Sequence, residues 1–163
     1  MVAIHVVLYQ PEIPANTGNI ARTCAATDAH LHLIRPLGFS TDDKYLKRAG
    51  LDYWPFVKIT YYDSVDEFFE KNEGEMYYIE TFGEKAYSDF DYSDINKDYY
   101  FWFGRESSGL PQDLLEANKD RCLRIPMTTN VRSLNLSNTA AILVYEAMRQ
   151  QNFANLKVGY SDK

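Results

Sequence analysis

Apolar positions along the chain come in two patterns that alternate: short continuous runs, and stretches where apolar residues recur every three or four positions. Val2–Tyr9, rich in β-branched residues, predicts a buried strand, and the turn residues PEIPANTGN follow it. IARTCAAT then predicts a helix over 20–27 with Asn16 or Thr17 as its N-cap. His30–Arg35 is a second strand, ended by Pro36, and 42–50 a short basic helix around Lys44, Lys47 and Arg48. Val57–Tyr61 is a third strand. Ser64 and Glu67 form a capping box that opens a helix through Phe69. Met76–Glu80 is a fourth strand, followed by an acidic loop over 84–98. Tyr99–Phe103 is apolar at every position, as a strand covered on both faces should be. Pro111 starts a helix through Leu115. Cys122–Ile125 is a last short strand, 126–136 a polar loop, and Ser137 caps a long helix with Ala141, Val144, Tyr145 and Met148 on one face. Strands alternating with helices predict an α/β fold, a mostly parallel sheet flanked by helices in a single domain spanning 1–163.

The length of 163 residues, with 45% hydrophobic and 25% charged, suits one globular domain with a core. No apolar run approaches the ~20 residues of a membrane helix. The first residues have no basic stretch or cleavage site of a signal peptide, so a cytoplasmic location is expected. Cys24 and Cys122 form no CxxC pair and have no histidine at ligand spacing. They read as reduced thiols, and no metal site is expected. His5, His30 and His32 lie in or beside strands and read as structural.

The net charge of −6 argues against a general nucleic-acid binder, but its distribution changes that picture. Residues 1–60 carry six Lys and Arg against five Asp and Glu, 61–100 three against twelve, and 101–163 eight against six. The acidity is one central block, which leaves room for a basic surface elsewhere.

Three loops are too polar for routine connections, and each follows a strand, where open α/β sheets place their sites. The first, Pro14-Ala-Asn16-Thr-Gly18-Asn19-Ile-Ala-Arg22, is compatible with plain turn and cap chemistry. Its Arg22 suits either a surface ion pair or a cleft that holds a phosphate or carboxylate. The second, Phe103-Gly104-Arg105-Glu106-Ser107-Ser108-Gly109-Leu110-Pro111, is neither a P-loop nor a dinucleotide fingerprint, and reads as a tight turn or a ligand loop. The third runs from Ile125 to Asn138. A capping loop accounts for Ser137 but not for Asn130, Arg132, Ser133 and Asn135 together.

In order and spacing, these segments resemble the three signature motifs of the SPOUT superfamily of RNA methyltransferases, in the TrmH-like 2′-O branch. The resemblance extends to LKRAGLDYW (46–54) and is strongest to the small TrmL (YibK-like) group. It implies S-adenosylmethionine as cofactor, a deep trefoil knot at roughly 121–150, and a homodimer formed through the knot region, with each site borrowing residues from the partner. It also implies methylation of the ribose 2′-OH of the wobble nucleotide, C or U at position 34, in leucine tRNAs. Carried over by motif, the cofactor contacts are Ile79, Thr81, Gly104, Ile125, Met127, Ser133 and Leu134. Arg22, Asn16 and Asn135 become catalytic, with Glu106, Gly109 and Asn138 in support.

Methyl transfer from a sulfonium needs an oriented hydroxyl and a route for its proton. Arginine stays protonated, so Arg22 reads as an electrostatic group for the developing alkoxide or a flanking phosphate, not as a base. Lys44, Lys47, Arg48, Arg105, Arg132 and Arg149 are the candidate RNA contacts. A non-catalytic RNA-binding relative, another tRNA or rRNA substrate, and an unrelated flavodoxin-like carrier are the alternatives.

Overall fold

The computed structural model describes residues 4–40 and 42–160, with the backbone alone for 49–52. Val2 and Ala3, at the start of the first expected strand, lie outside these residues. The chain runs β1 (Ile4–Tyr9), α1 (Pro14–Thr27), β2 (His30–Ile34), α2 (Lys44–Gly50), β3 (Ile59–Tyr62), α3 (Val65–Lys71), β4 (Glu75–Ile79), β5 (Lys85–Ala86), β6 (Tyr99–Phe103), α4 (Gln112–Ala117), β7 (Cys122–Arg124) and α5 (Leu136–Gln150). The strands form one sheet in the order β3-β2-β1-β6-β4-β7-β5, and every pairing is parallel.

The all-apolar run at Tyr99–Phe103 is explained by its place near the centre of the sheet, between β1 and β4, where all five residues are buried. Alternation along the strand sends Tyr99, Phe101 and Phe103 into one core and Tyr100 and Trp102 into the other. The first core is closed by Ile20, Ala21 and Cys24 of α1 and by Ala140, Leu143, Val144 and Ala147 of α5. The second is closed by Phe68 of α3 and Leu115 of α4. The helices therefore sort by face, with α1 and α5 opposite α3 and α4.

The element boundaries differ from expectation at the loops that look chemical. Helix α1 starts at Pro14 instead of after Asn16, because proline has no amide to satisfy and a backbone angle suited to a first turn. Its N-cap is Ile13, with no side-chain cap, and Asn16 and Thr17 are buried inside the helix. Helix α5 is capped by Asn135, not Ser137: the Asn135 Oδ1 accepts from the amides of Ser137 at 2.9 Å and Asn138 at 3.4 Å. Tyr145, expected on the buried face, is 44% exposed. The expected acidic loop contains β5, which pairs with β7. Ser64 does cap α3, but Glu67 returns its bond to the amide of Asp63. Both cysteines are buried, which pushes the Cys24 thiol up to about 12 and Cys122 up to about 11, so they remain neutral.

At the amino end of β1 and β2, His5 Nδ1 and His32 Nε2 lie 2.9 Å apart. His5 Nε2 meets Asp98 at 2.7 Å, His32 Nδ1 meets the Tyr62 hydroxyl at 2.8 Å, and His30 Nε2 meets Thr60 at 2.9 Å. The three rings are the one group among the described residues within metal-ligating reach of one another. They lie at the far end of the sheet from the three loops. Burial pushes all three below the ordinary 6.5, His30 to about 4 and His32 to about 2, while Asp98 opposes the shift at His5. A lowered folded-state value means that the unfolded chain binds more protons as the pH falls. Stability is therefore complete above about pH 6.5 and declines from there toward about 4, where His30 titrates. Thermal melts across this window should show a falling Tm below pH 6.5, and His30→Gln should flatten the slope. A Tm that stays constant down to about pH 4 would refute the neutral cluster.

Candidate active site

The Phe103–Pro111 loop turns back on itself directly after β6. Arg105 and Gly109 exchange two backbone hydrogen bonds, of 3.1 and 2.9 Å, and Gly109 takes a positive φ of 74°. A side chain at Gly104 would overlap the backbone of Gly109 and Leu110. Both glycines are thus required by the tight turn. The turn presents Glu106 to the start of α1. Its carboxylate accepts from the amides of Glu12 and Ile13, each at 3.0 Å, and from the Asn16 side chain at 3.1 Å. An anion at a helix amino end satisfies amides that the helix leaves unpaired and is favoured by the helix dipole.

A second carboxylate reaches the other way. Glu12 accepts from the Ser107 amide at 2.9 Å and from its hydroxyl at 2.8 Å, and these donors hold the Glu12 carboxyl below its usual range. The first and second loops are therefore clasped twice. The third joins through Asn16, whose Oδ1 accepts from Asn135 Nδ2 at 3.1 Å. The structure thus brings Asn16, Glu106 and Asn135, separated by up to 119 positions, into one hydrogen-bonded line. Asn16 is only 6% exposed.

The expected cofactor positions occupy the carboxyl ends of three neighbouring strands, β6, β4 and β7. Ile79 ends β4 opposite Leu123, Gly104 follows β6, and Ile125 follows β7. Thr81 and Met127 are half-buried beyond the strand ends, and Ser133 and Leu134 are exposed. Among the described residues, 126–134 make no backbone–backbone hydrogen bond; the Asn130 amide meets only the Thr128 hydroxyl. The uncommitted amides and carbonyls of 126–134, with the side chains of Ile79, Ile125, Met127 and Leu134, suit a ligand with a flat base and a polar tail, held largely through the main chain.

Arg22 shares a groove with the expected supporting residue Asn138 but not with the cofactor positions. It is exposed on α1 and lines an open groove of about 360 Å³ with Asn19, Thr23, Asn138, Ala141 and Tyr145. None of the cofactor positions lines this groove. Its guanidinium sits 4.9 Å from the Tyr53 ring and has no ion pair or hydrogen bond among the described residues. Of the other cations, Lys44, Lys47, Arg48 and Arg132 are exposed. Arg105 donates to the Tyr9 hydroxyl at 3.2 Å, and Arg149 is held by Glu146 at 2.9 Å. Glu12, Ser107 and Tyr53 were not singled out from the sequence. Glu12 sits between turn residues with no periodic signal, and its partner is 95 positions away.

The model of the SpoU rRNA Methylase family matches residues 3–145. A protein of Listeria monocytogenes (serotype 4b, strain F2365), provisionally named tRNA (cytidine(34)-2′-O)-methyltransferase, is 74% identical over 153 residues, covering 93% of this chain and 90% of its own. A solved structure described as giving insights into the 2-OH methylation of C/U34 on tRNA superposes with a TM-score of 0.85 at 44% identity, over 93% of this chain and 98% of its own. An AdoMet-bound rRNA methyltransferase from Sinorhizobium meliloti superposes with a TM-score of 0.79 at 25% identity, over 90% of this chain and 56% of its own.

Asn16→Ala should take one of three hydrogen bonds from Glu106 and leave the Asn135 side-chain amino group without its acceptor, at a cost of about 2 kcal/mol. In urea the midpoint should fall with an unchanged slope. Asn16→Asp keeps the shape but sets a carboxylate against Glu106, and should cost more at neutral pH. Wild-type stability in both would remove the joint.

Proposed function

This chain belongs to the SpoU rRNA Methylase family, and from that footing we propose that it is a homodimeric, S-adenosylmethionine-dependent enzyme that methylates the ribose 2′-OH of the wobble nucleotide, C or U at position 34, in leucine tRNAs. The observation that carries the reading is the line Glu106–Asn16–Asn135, which fastens the three motif loops to one another. The relatives' names supply the position and the methyl acceptor. The AdoMet-bound neighbour and the uncommitted main chain of 126–134 support the cofactor.

When bound, S-adenosylmethionine supplies an already activated methyl group. The chain's own part is to hold and polarise. Ile79, Ile125, Met127 and Leu134 would flank the adenine, and the main chain near Thr81, Gly104 and Ser133 would take its polar edges. Asn16 and Asn135 fix the loop geometry so that the hydroxyl meets the methyl in line. Arg22, which stays protonated, stabilises the developing alkoxide or a neighbouring phosphate, and the proton leaves to a phosphate or water.

That the α1–α5 groove holds Arg22 and none of the cofactor positions supports a site shared between two chains. Arg22 of one protomer would complete the site of the other across α1 and α5, where Tyr145 and Ala141 are offered. Leu123 lies so close to the 80–86 segment that a Cβ on Gly83 would stand 3.0–3.2 Å from its backbone. From there the chain returns to α5, on the core face of β1 and β6. This tight wrapping supports the proposed threading of 121–150 as a knot. Among the described residues no helix is long and apolar enough to cross a membrane. We place the enzyme with its tRNA substrate in the cytoplasm.

Labelled methyl transfer to total tRNA, with nucleoside mass spectrometry, should yield a 2′-O-methylated pyrimidine at the wobble position. No transfer to any tRNA would sink the proposal. Arg22→Lys keeps the charge but loses the planar fork, and should lower kcat roughly 100-fold with cofactor affinity intact. Wild-type turnover would exclude bidentate positioning. Tyr145→Asp should shift sedimentation from dimer to monomer and abolish transfer; an active monomer would refute the shared site.

A further inference from the structure

Helix α2 and the 3-10 turn Leu51–Phe56 pack against α1, on the face of the sheet where Arg22 emerges. Of α2's described side chains only Leu46 is buried; Lys44, Tyr45, Lys47 and Arg48 all face outward. Tyr45, 48% exposed, has the Lys44 ammonium 5.2 Å and the Arg48 guanidinium 5.9 Å from its ring. Phe56, at the end of the same segment, is 72% exposed. Tyr53 lies between them in sequence and holds the guanidinium of Arg22 over its ring.

Packing within this chain does not account for the arrangement. A ring as exposed as Phe56 gains little from the fold, and Lys44 and Arg48 are held beside an open aromatic face without acidic partners among the described residues, while Lys47 has only the exposed Asp42 at 4.0 Å. Rings interleaved with cations are what an unpaired nucleic-acid strand requires: flat faces for bases and positive charge for phosphates. Acidic groups lie on both sides of the sheet, Asp66, Glu67 and Glu70 on α3 and Asp89, Asp91 and Asp94 in the segment packed against α5, so the α2 cluster of Lys44, Lys47 and Arg48 stands out as a local site for a polyanion.

We infer that Tyr45 and Phe56 form a base-stacking platform for unpaired RNA nucleotides beside the target ribose, with Lys44, Lys47 and Arg48 neutralising the phosphates of the same strand. The inference rests on the RNA methyltransferase reading and adds how the substrate is recognised: as an open loop, not as a duplex. The Arg22–Tyr53 pair links the platform to the proposed catalytic guanidinium, so a base stacked on α2 would place the next ribose toward Arg22.

The test uses the full-length protein and an anticodon stem-loop RNA with 2-aminopurine next to the wobble nucleotide. Binding to the wild type should change the probe's fluorescence, and a fully paired duplex of equal length should compete poorly. Tyr45→Ala and Phe56→Ala should each weaken stem-loop binding roughly 5- to 100-fold and raise KM in step. Cofactor affinity, and kcat at saturating RNA, should stay within about twofold of wild type. Tyr45→Trp should restore binding, which a merely structural tyrosine would not predict. Wild-type affinity in both alanine variants, or equal competition by the duplex, would overturn the platform while leaving methyl transfer intact. A wild type that neither binds the stem-loop nor methylates tRNA would overturn both readings.

Discussion

The position of the Glu106 carboxylate governs the rest of the candidate site. It is tied to two main-chain amides and one side-chain amide at the start of α1, so it cannot move without exposing donors that have no other partner. That requirement forces the turn after β6 into its tight form, and the tight turn in turn requires glycine at 104 and 109. It also fixes the rotation of Asn16, which must give its amino group to Glu106 and so has only its carbonyl left for Asn135. Asn135 then spends its own carbonyl on the first turn of α5. One charge placement thus sets the entry of two helices on the same face of the sheet.

The fold was legible in the sequence wherever burial decided the pattern. Tyr99–Phe103 announces a central strand because both its faces are covered, and the capping serine of α3 announces a helix start by local chemistry alone. What was not legible is the capping done across the chain. Asn16 looked like a helix cap because Asn before an apolar stretch usually is one. The N-cap of α1 is Ile13, without a side-chain cap, and the bonds at that end come from Glu106, at least ninety positions later, which no local pattern encodes. The same holds for Tyr145: its spacing matches the buried face, and only the placement of α1 beside α5 leaves it in an open groove. The motifs named the participants, but which donor meets which acceptor required the fold.

The histidines show the opposite case, a cluster that looks chemical in space and was read as structural from sequence. His5 and His32 use both ring nitrogens in hydrogen bonds, and His30 is committed through Nε2 to Thr60. Their lowered titration follows from burial, and they stand at the amino ends of the strands. In a parallel sheet that is the end away from the loops that carry chemistry.

The carboxyl edge of the sheet is left incomplete in a complementary way. The 126–134 main chain has capacity to bind; of the cations near it Arg105 is engaged with Tyr9, and Arg132 is exposed and assigned to the RNA. The α1–α5 groove has a cation without a hydrogen-bonded partner but no expected cofactor position in its lining. A monomer would therefore hold a methyl donor and a polarising group in separate places. The proposed pairing across α1 and α5 resolves this with a single contact, because the groove that carries Arg22 would also be the dimer surface. A net charge of −6 is compatible with an RNA substrate because the charge is uneven: α2 gathers Lys44, Lys47 and Arg48 in one place, and the acids of α3 lie on the other face of the sheet.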